Sequence, residues 1–163
     1  MQAEDNPAGM QAQEKVAELI PRLRRYARAL ANETLPPDEL VRRTLERASH
    51  ELRVAHTESD LRVWLFSLLH ETYIQQAAAQ DTEREPTEAP PMTTGGPAFE
   101  QAMARLPPLQ REIFLLITLE DMSYDQVAKA LNIPIGTVMS RLSRAREKLR
   151  LLLLDQARVR IVK

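Results

Sequence analysis

The chain has 163 residues, of which 44% are hydrophobic and only 4% are aromatic. A core with this composition consists mostly of Leu, Ile, Val and Ala, which favours helices over sheets. Cysteine is absent, which excludes disulfides and cysteine-based metal sites and fits a cytoplasmic location. No window holds the roughly 18 uninterrupted apolar residues of a spanning helix, and the polar N-terminus lacks the features of a signal peptide. We therefore expect no membrane insertion.

The formal net charge of −1 conceals a basic C-terminal end. Residues 136–163 contain eight basic and two acidic side chains, a net charge of +6, whereas residues 80–97 contain one basic and four acidic side chains. A local excess of positive charge on a nearly neutral chain favours contact with a polyanion such as a nucleic acid. A solvated helix end with no partner is the alternative interpretation.

Apolar residues recur at helical spacing through residues 14–79, which predicts a first domain that is a bundle of three to four helices. The polar residues 1–13 are predicted to be a disordered N-terminus. Pro36 and Pro37 fit the boundary or first turn of the second helix, where a missing amide proton costs little. That helix is predicted to run from Asp38 to about His56.

Residues 80–97 contain four prolines, two adjacent glycines and only one large apolar residue, Met92. Such a segment cannot bury enough apolar surface to offset its ordering entropy, so a flexible linker is predicted. Beyond it, residues 98–158 have the pattern of a four-helix second domain, followed by a tail at 159–163. The predicted fold class is all-α, with two small helical domains joined by the linker.

Two helices of the second domain, one from Ser123 to Leu131 and one from Gly136 onward, are separated by a tight turn, as in a helix-turn-helix. Ser123 is placed to cap the first of them by accepting from free backbone amides. The second helix carries an apolar stripe at steps of four, three and four residues, predicted to pack against Val127, Ala128 and Leu131. The stripe consists of Val138, Leu142, Ala145 and Leu149.

The side opposite and flanking this stripe has the mixture of groups that a reader of DNA needs. Arginine bonds guanine through two hydrogen bonds, serine adapts to several bases, and flanking cations hold phosphates. A hydroxyl near the helix start is placed to donate to a phosphate that the helix N-terminus already favours. We call this set the recognition face: Thr137, Met139, Ser140, Arg141, Ser143, Arg144, Arg146 and Lys148. An ordinary exposed helix face is the alternative.

Three stretches of the second domain resemble region 4 of the extracytoplasmic-function (ECF) sigma factors, group 4 of the sigma-70 family. They are LPPLQREIFLL at 106–116, MSYDQVA at 122–128 and IPIGTVMSRLSRAR at 133–146. In that family the domain recognises the −35 element of promoters, and the contacts implied by the resemblance fall on the recognition face.

The first domain resembles region 2 of the same family in LRRYARAL at 23–30 and LRVWLF at 61–66. The resemblance implies that this domain docks on RNA polymerase core, at its β′ and β subunits, and opens the −10 element. The implied core-binding residues are Asp38, Glu39, Arg42, Arg43 and Glu46. The implied −10-binding residues are His70, Tyr73, Gln75 and Gln76.

The first domain departs from the family pattern in two places. Arg42 and Arg43 stand where the family usually has Gln or Asp followed by an acidic residue. Ala78 and Ala79 stand where the family tends to have an arginine pair, so the usual basic groups for single-stranded DNA are missing there. His70 and Tyr73 are residues of a kind that stacks on bases.

Three functions remain open. An alternative sigma factor would bind core and promoter DNA under the control of an anti-sigma factor. A sigma-like interaction protein would bind an anti-sigma factor or core without melting DNA. A stand-alone helix-turn-helix repressor or activator would leave the first domain unexplained. We expect no enzyme, cofactor, metal or small-molecule ligand, because glycine-rich phosphate loops and catalytic histidine spacings are lacking in the sequence.

Overall fold

The fold is that of a computed structural model, which describes residues 7–30, 36–51, 58–80 and 96–162. Within these ranges every regular element is a helix, which confirms the predicted all-α class. The first domain contains α1 (Pro7–Leu30), α2 (Pro37–Glu51) and α3 (Glu58–Gln80). The second domain contains α4 (Gly96–Ala104), α5 (Pro108–Thr118), α6 (Tyr124–Leu131) and α7 (Ile135–Ile161). None of these helices combines the length and apolarity needed to cross a bilayer.

The first domain packs its three helices around a core of leucines with one aromatic pair. Leu23, Leu40 and Leu65 are almost completely buried. The rings of Tyr26 and Phe66 meet edge to face, with centroids 5.2 Å apart and an interplanar angle of 87°. This geometry suits the quadrupoles of the two rings and fixes α1 against α3.

A half-buried arginine joins the first two helices of the second domain. The Arg111 guanidinium donates to the backbone carbonyls of Met103, Ala104 and Leu106 at 3.0, 2.8 and 3.3 Å. The last carbonyls of a helix have no partner within it, so α5 supplies the donors that the C-terminus of α4 lacks. Burial lowers the pKa of Arg111, and the charges of Tyr73 and Glu112 oppose part of that effect.

Caps at both ends of α6 fix the limits of the first helix of the helix-turn-helix. The Ser123 amide donates to Gln126 Oε1 at 2.9 Å, and the Gln126 amide donates to Ser123 Oγ at 3.1 Å, which together form a capping box. Asn132 ends α6 in the left-handed conformation, with φ 53° and ψ 50°. The predicted cap and the predicted stripe are both confirmed, since all four stripe residues are buried between α7 and its neighbours.

The two domains also contact each other, α3 packing on α6 and α1 on α5. The sequence predicted no such contact, because the linker alone does not indicate whether two domains touch. Most of the contact lies along α3, the helix that carries the predicted −10-binding residues.

Three predicted boundaries need correction. Residues 7–13 are helical rather than disordered. Pro7 suits a first helical turn and Gln11 to Gln13 are good helix formers, so local propensity outweighs the polar composition. The predicted tail is mostly helix, because α7 continues to Ile161. The linker is shorter than predicted, since residue 80 belongs to α3 and residues 96–97 to α4; the rest of it, 81–95, lies outside the described residues. The second predicted helix ends at Glu51, and its remaining residues also lie outside them.

Replacing Ser123 by alanine should destabilise the second domain by about 0.5–2 kcal/mol, because the α6 N-terminus loses its side-chain acceptor. Urea unfolding of the full chain measures the change. Ser143→Ala, at an exposed site on α7 with no capping role, is the matched control and should stay within about 0.5 kcal/mol of the parent. Equal effects of the two substitutions would mean that the capping box contributes nothing.

Candidate nucleic-acid interface

The recognition face lies on the solvent side of the N-terminal half of α7. Packing of the stripe turns Met139, Ser140 and Ser143 outward, and Met139 is 53% exposed. Thr137 and Arg141 are half-buried at the edges of the face. The remaining three members, Arg144, Arg146 and Lys148, are exposed. The structure therefore places all eight predicted residues on the part of α7 that the buried stripe does not occupy.

The positive charges of this face are not neutralised within the chain. None of Arg141, Arg144, Arg146 and Lys148 forms an ion pair with another described residue. The nearby carboxylate of Glu147 is paired instead with Arg150 at 2.8 Å, and hydrogen bonds from Arg150 lower the pKa of Glu147. The acidic group is thus compensated locally, which leaves the four cations available to phosphates.

A shallow groove runs between the start of α6 and the recognition face. Tyr124, Met139, Ser143 and Arg146 line it together with residues farther along α7. Tyr124 is the first residue of α6 and is 36% exposed, and it lines this groove together with Met139. The sequence reasoning missed this residue. Its position directly after the Ser123 cap was the signal, because the start of the bracing helix lies beside the recognition helix.

The predicted −10-binding residues do not form one exposed surface. Gln75 is exposed, but Tyr73 is only 7% exposed. His70 Nδ1 lies 2.6 Å from Glu112 Oε2 of the second domain, although neither atom makes a hydrogen bond to a described residue. Burial and the charge of Glu112 raise the pKa of Tyr73. Two of the four residues therefore lie where the second domain covers α3.

The fourth of these residues, Gln76, binds within the first domain. It is 8% exposed, and with its amide oxygen turned toward α2 it accepts two N–H bonds from Arg43 at 3.0 and 2.8 Å. Arg43 is one of the predicted core-binding residues. A residue assigned to the −10 element and one assigned to core thus contact each other across α2 and α3.

The predicted core-binding residues follow one face of α2, where opposite charges pair along the helix. Arg42 donates to both carboxylate oxygens of Glu39, at 2.9 and 2.8 Å, and also pairs with Glu46. Arg43 Nε donates to Glu39 at 2.6 Å. These bonds lower the pKa of Glu39 to about 2. Asp38 is exposed one residue earlier, so this surface presents a paired ladder rather than a patch of one sign.

The described residues contain no group of three or more His, Asp and Glu side chains that is arranged to hold a metal ion. The candidate sites are therefore two surfaces. The second domain has a basic helix face whose cations are unpaired, and the first has a charged face whose arginines and glutamates pair with each other. A helix-turn-helix with such a face defines a DNA-binding protein.

Comparison with known proteins places this arrangement in a family. Residues 97–149 match the family described as Sigma-70, region 4, and residues 16–70 match the Sigma2 domain of PhyR. Over 145 residues the chain is 31% identical to the ECF RNA polymerase sigma factor EcfG of Rhodopseudomonas palustris, covering 82% of this chain and 80% of that protein. The chain belongs to the ECF sigma factors, as the resemblance predicted.

Solved structures agree. The sigma factor RpoE of Bartonella quintana, crystallised with the anti-sigma factor NepR, has a TM-score of 0.74 and 30% identity, covering 86% of this chain and 95% of that one. The PhyRSL–NepR complex of Sphingomonas sp. Fr1 has a TM-score of 0.68 and 25% identity, covering 86% and 87%. Both are structures of complexes with NepR.

Glu39→Gln should lower the stability of the chain at neutral pH, because the glutamine cannot accept charge-assisted bonds from Arg42 and Arg43. Since the pKa of Glu39 is depressed from 4.5 to about 2, its contribution is fully present above pH 4.5 and is lost as the pH falls toward 2. Urea midpoints of the parent and variant should therefore converge on acidification. Glu18→Gln, at an exposed carboxylate of α1, controls for the lost charge, and a pH-independent difference would contradict the assignment.

Proposed function

We propose that this chain is an alternative sigma factor, which binds RNA polymerase core and directs initiation at promoters whose −35 element is read by α7. The observation that carries the proposal is the unpaired basic face of α7 inside a domain that matches sigma-70 region 4. A helix of this kind enters the major groove while its bracing helix crosses the backbone. The site of action is then the cytoplasm, where the promoter DNA is.

The four cations of the recognition face have proposed roles. Arg144 is exposed at its centre, where it can bond a guanine through two N–H groups. Arg141, Arg146 and Lys148 flank it and are proposed to hold phosphates. Tyr124 of α6 lines the same groove as Met139 and Arg146 and is proposed to contact DNA beside them.

The first domain is proposed to dock on core through α2, at the β′ and β subunits, and to take part in opening the −10 element. An anti-sigma partner is proposed as well, because the Bartonella quintana sigma factor was crystallised with one and is similar along almost its whole length. The paired ladder of Glu39, Arg42 and Arg43 would then act as a surface of mixed charge, which favours orientation and specificity over non-specific attraction.

A second candidate function is a sigma-like interaction protein that binds an anti-sigma factor without melting DNA. Two observations favour it. Residues 16–70 match the Sigma2 domain of PhyR, and PhyR of Bartonella quintana is an anti-anti-sigma factor. In addition, His70 and Tyr73 are covered. The exposed recognition face favours the first candidate, because a decoy has no use for a DNA-reading surface.

Run-off transcription with purified chain and core polymerase separates the two candidates. A sigma factor should initiate at a subset of genomic promoters, and permanganate should detect unpaired thymines at the −10 element. Capture of an anti-sigma factor without initiation at any promoter would reject the first proposal and support the second.

Arg144→Ala should weaken binding to the preferred −35 duplex by about 1–3 kcal/mol and reduce discrimination at one base pair, because the bidentate contact is lost. Fluorescence anisotropy with the preferred duplex and its single-base variants measures both effects. Arg160→Ala removes the same charge from an exposed site outside the recognition face and should leave specificity unchanged. An equal loss in both variants would mean that Arg144 acts only through its charge.

Lys148→Ala should instead weaken binding to all duplexes alike, because a phosphate contact carries no sequence information. The slope of log affinity against log salt should fall by about one unit, since one fewer counterion is released. A titration series over several salt concentrations gives the slope. A loss confined to one sequence would place Lys148 at a base rather than at a phosphate.

A further inference from the structure

A carboxylate of the second domain is buried against three arginines of the first. Glu120 lies in the turn between α5 and α6, and its side chain is fully buried. Arg25 donates to its Oε1 at 3.0 Å, and Arg22 Nε lies 3.5 Å from its Oε2. Arg62 donates to its backbone carbonyl at 3.1 Å. We call Glu120 and these three arginines the Glu120 latch.

The contacts around the latch continue on both sides. Arg25 also donates to the carbonyl of Leu119 at 2.8 Å, and Arg62 donates to Gln126 Oε1 at 3.3 Å. Gln126 is the same residue that closes the capping box of α6. The latch therefore contacts both the turn between α5 and α6 and the first turn of α6. It fixes the orientation of the second domain relative to the first, as well as the distance between the two domains.

The charge of Glu120 is compensated from the other domain. Among the described residues, the cations that act on it are Arg25, Arg22 and Arg62, all on α1 or α3. Burial raises the pKa of Glu120, and this effect exceeds the lowering by the three arginines. Desolvation thus offsets much of the attraction, as is common for buried ion pairs. A contact of this kind holds one closed geometry and can still open.

In the closed geometry one of the two predicted DNA-binding surfaces is partly covered, and the other is accessible. Glu112 of α5 is 2% exposed and lies against His70, and Tyr73 is buried beside it. The recognition face of α7 stays on the solvent side. Closure therefore covers part of the α3 face while leaving the −35 reader accessible.

We propose that the Glu120 latch holds the chain, when it is alone, in a self-closed state that shuts the α3 face around His70 and Tyr73 and leaves α7 open. The latch is a conformational device within the chain, and no partner is required to maintain it. Its regulatory meaning rests on the proposed sigma-factor function, because that function assigns the α3 face to the −10 element. The geometry of the latch itself does not depend on that assignment.

The closed state can be measured directly as a distance between the domains. The chain has no cysteine, so Ser49→Cys on α2 and Asp155→Cys on α7 give one exposed label site in each domain of the full chain. Double electron–electron resonance should give one narrow distance for this labelled parent. Adding Glu120→Gln, which removes the charge but preserves the shape, should broaden the distribution and shift it to longer distances.

Two further variants make the measurement decisive. Asp121→Asn is the matched control, because it removes the next carboxylate along the chain, which is exposed, and asparagine tolerates the left-handed backbone at that position (φ 51°). It should keep the narrow distance. Arg25→Gln breaks the latch from the first domain and should reproduce the effect of Glu120→Gln. If Glu120→Gln and Arg25→Gln keep the parent distance while remaining folded, the latch is overturned.

The consequence for function needs a separate readout. With core polymerase, Glu120→Gln should form open complexes several-fold faster than the parent, whereas its affinity for an isolated −35 duplex should not change. An open Glu120→Gln chain with an unchanged rate would overturn the claim that closure shuts the α3 face. If the parent never initiates with core, the proposed sigma-factor function fails, and the latch is then judged by the distances alone.

Discussion

Burial of one apolar stripe on α7 is the constraint on which the candidate DNA interface depends. Val138, Leu142, Ala145 and Leu149 occupy one side of the helix and are all nearly inaccessible to solvent. Because successive residues turn by about 100°, fixing these four fixes the direction of every residue between them. The recognition face is a geometric consequence of the stripe. A change that rotated α7 would redirect all of its cations together.

The two domains differ in whether their exposed cations are paired with carboxylates of the same chain. In the first, α2 pairs its arginines with its own glutamates, and Arg47 pairs with Glu71 of α3 at 2.8 Å. In the second, the cations of α7 remain unpaired on the recognition face while Glu147 is bound to Arg150. Exposed pairs contribute little to folding, so this pattern matters mainly for what each surface attracts. The unpaired face attracts phosphate over a distance of about a Debye length, and the paired ladder does not.

Most of the second domain could be predicted because its signals are local. The cap at Ser123, the turn at Asn132 and the spacing of the stripe each involve residues a few positions apart, and all appear in the structure. The boundaries at residues 7–13 and 159–161 were wrong for a related reason. At residues 7–13 helix propensity outweighs the polar composition, and at 159–161 the chain simply continues the long helix α7.

The contact between the domains could not be predicted, because it joins residues that are far apart in the sequence, from His70 and Glu112 to Arg22 and Glu120, and whose types are ordinary by themselves. Arg25 and Glu120 are 95 residues apart, and nothing in either neighbourhood marks them as partners. The same contact covers His70 and Tyr73, whereas Gln76 is buried by Arg43 within the first domain. A resemblance assigns roles to positions, and the packing of the domains decides which of those positions are accessible. His70 and Tyr73 can therefore have the chemistry of a base-stacking site and still be covered. A functional assignment made from sequence applies to one conformational state of the protein. In this chain we propose that the buried carboxylate of Glu120 favours the closed state.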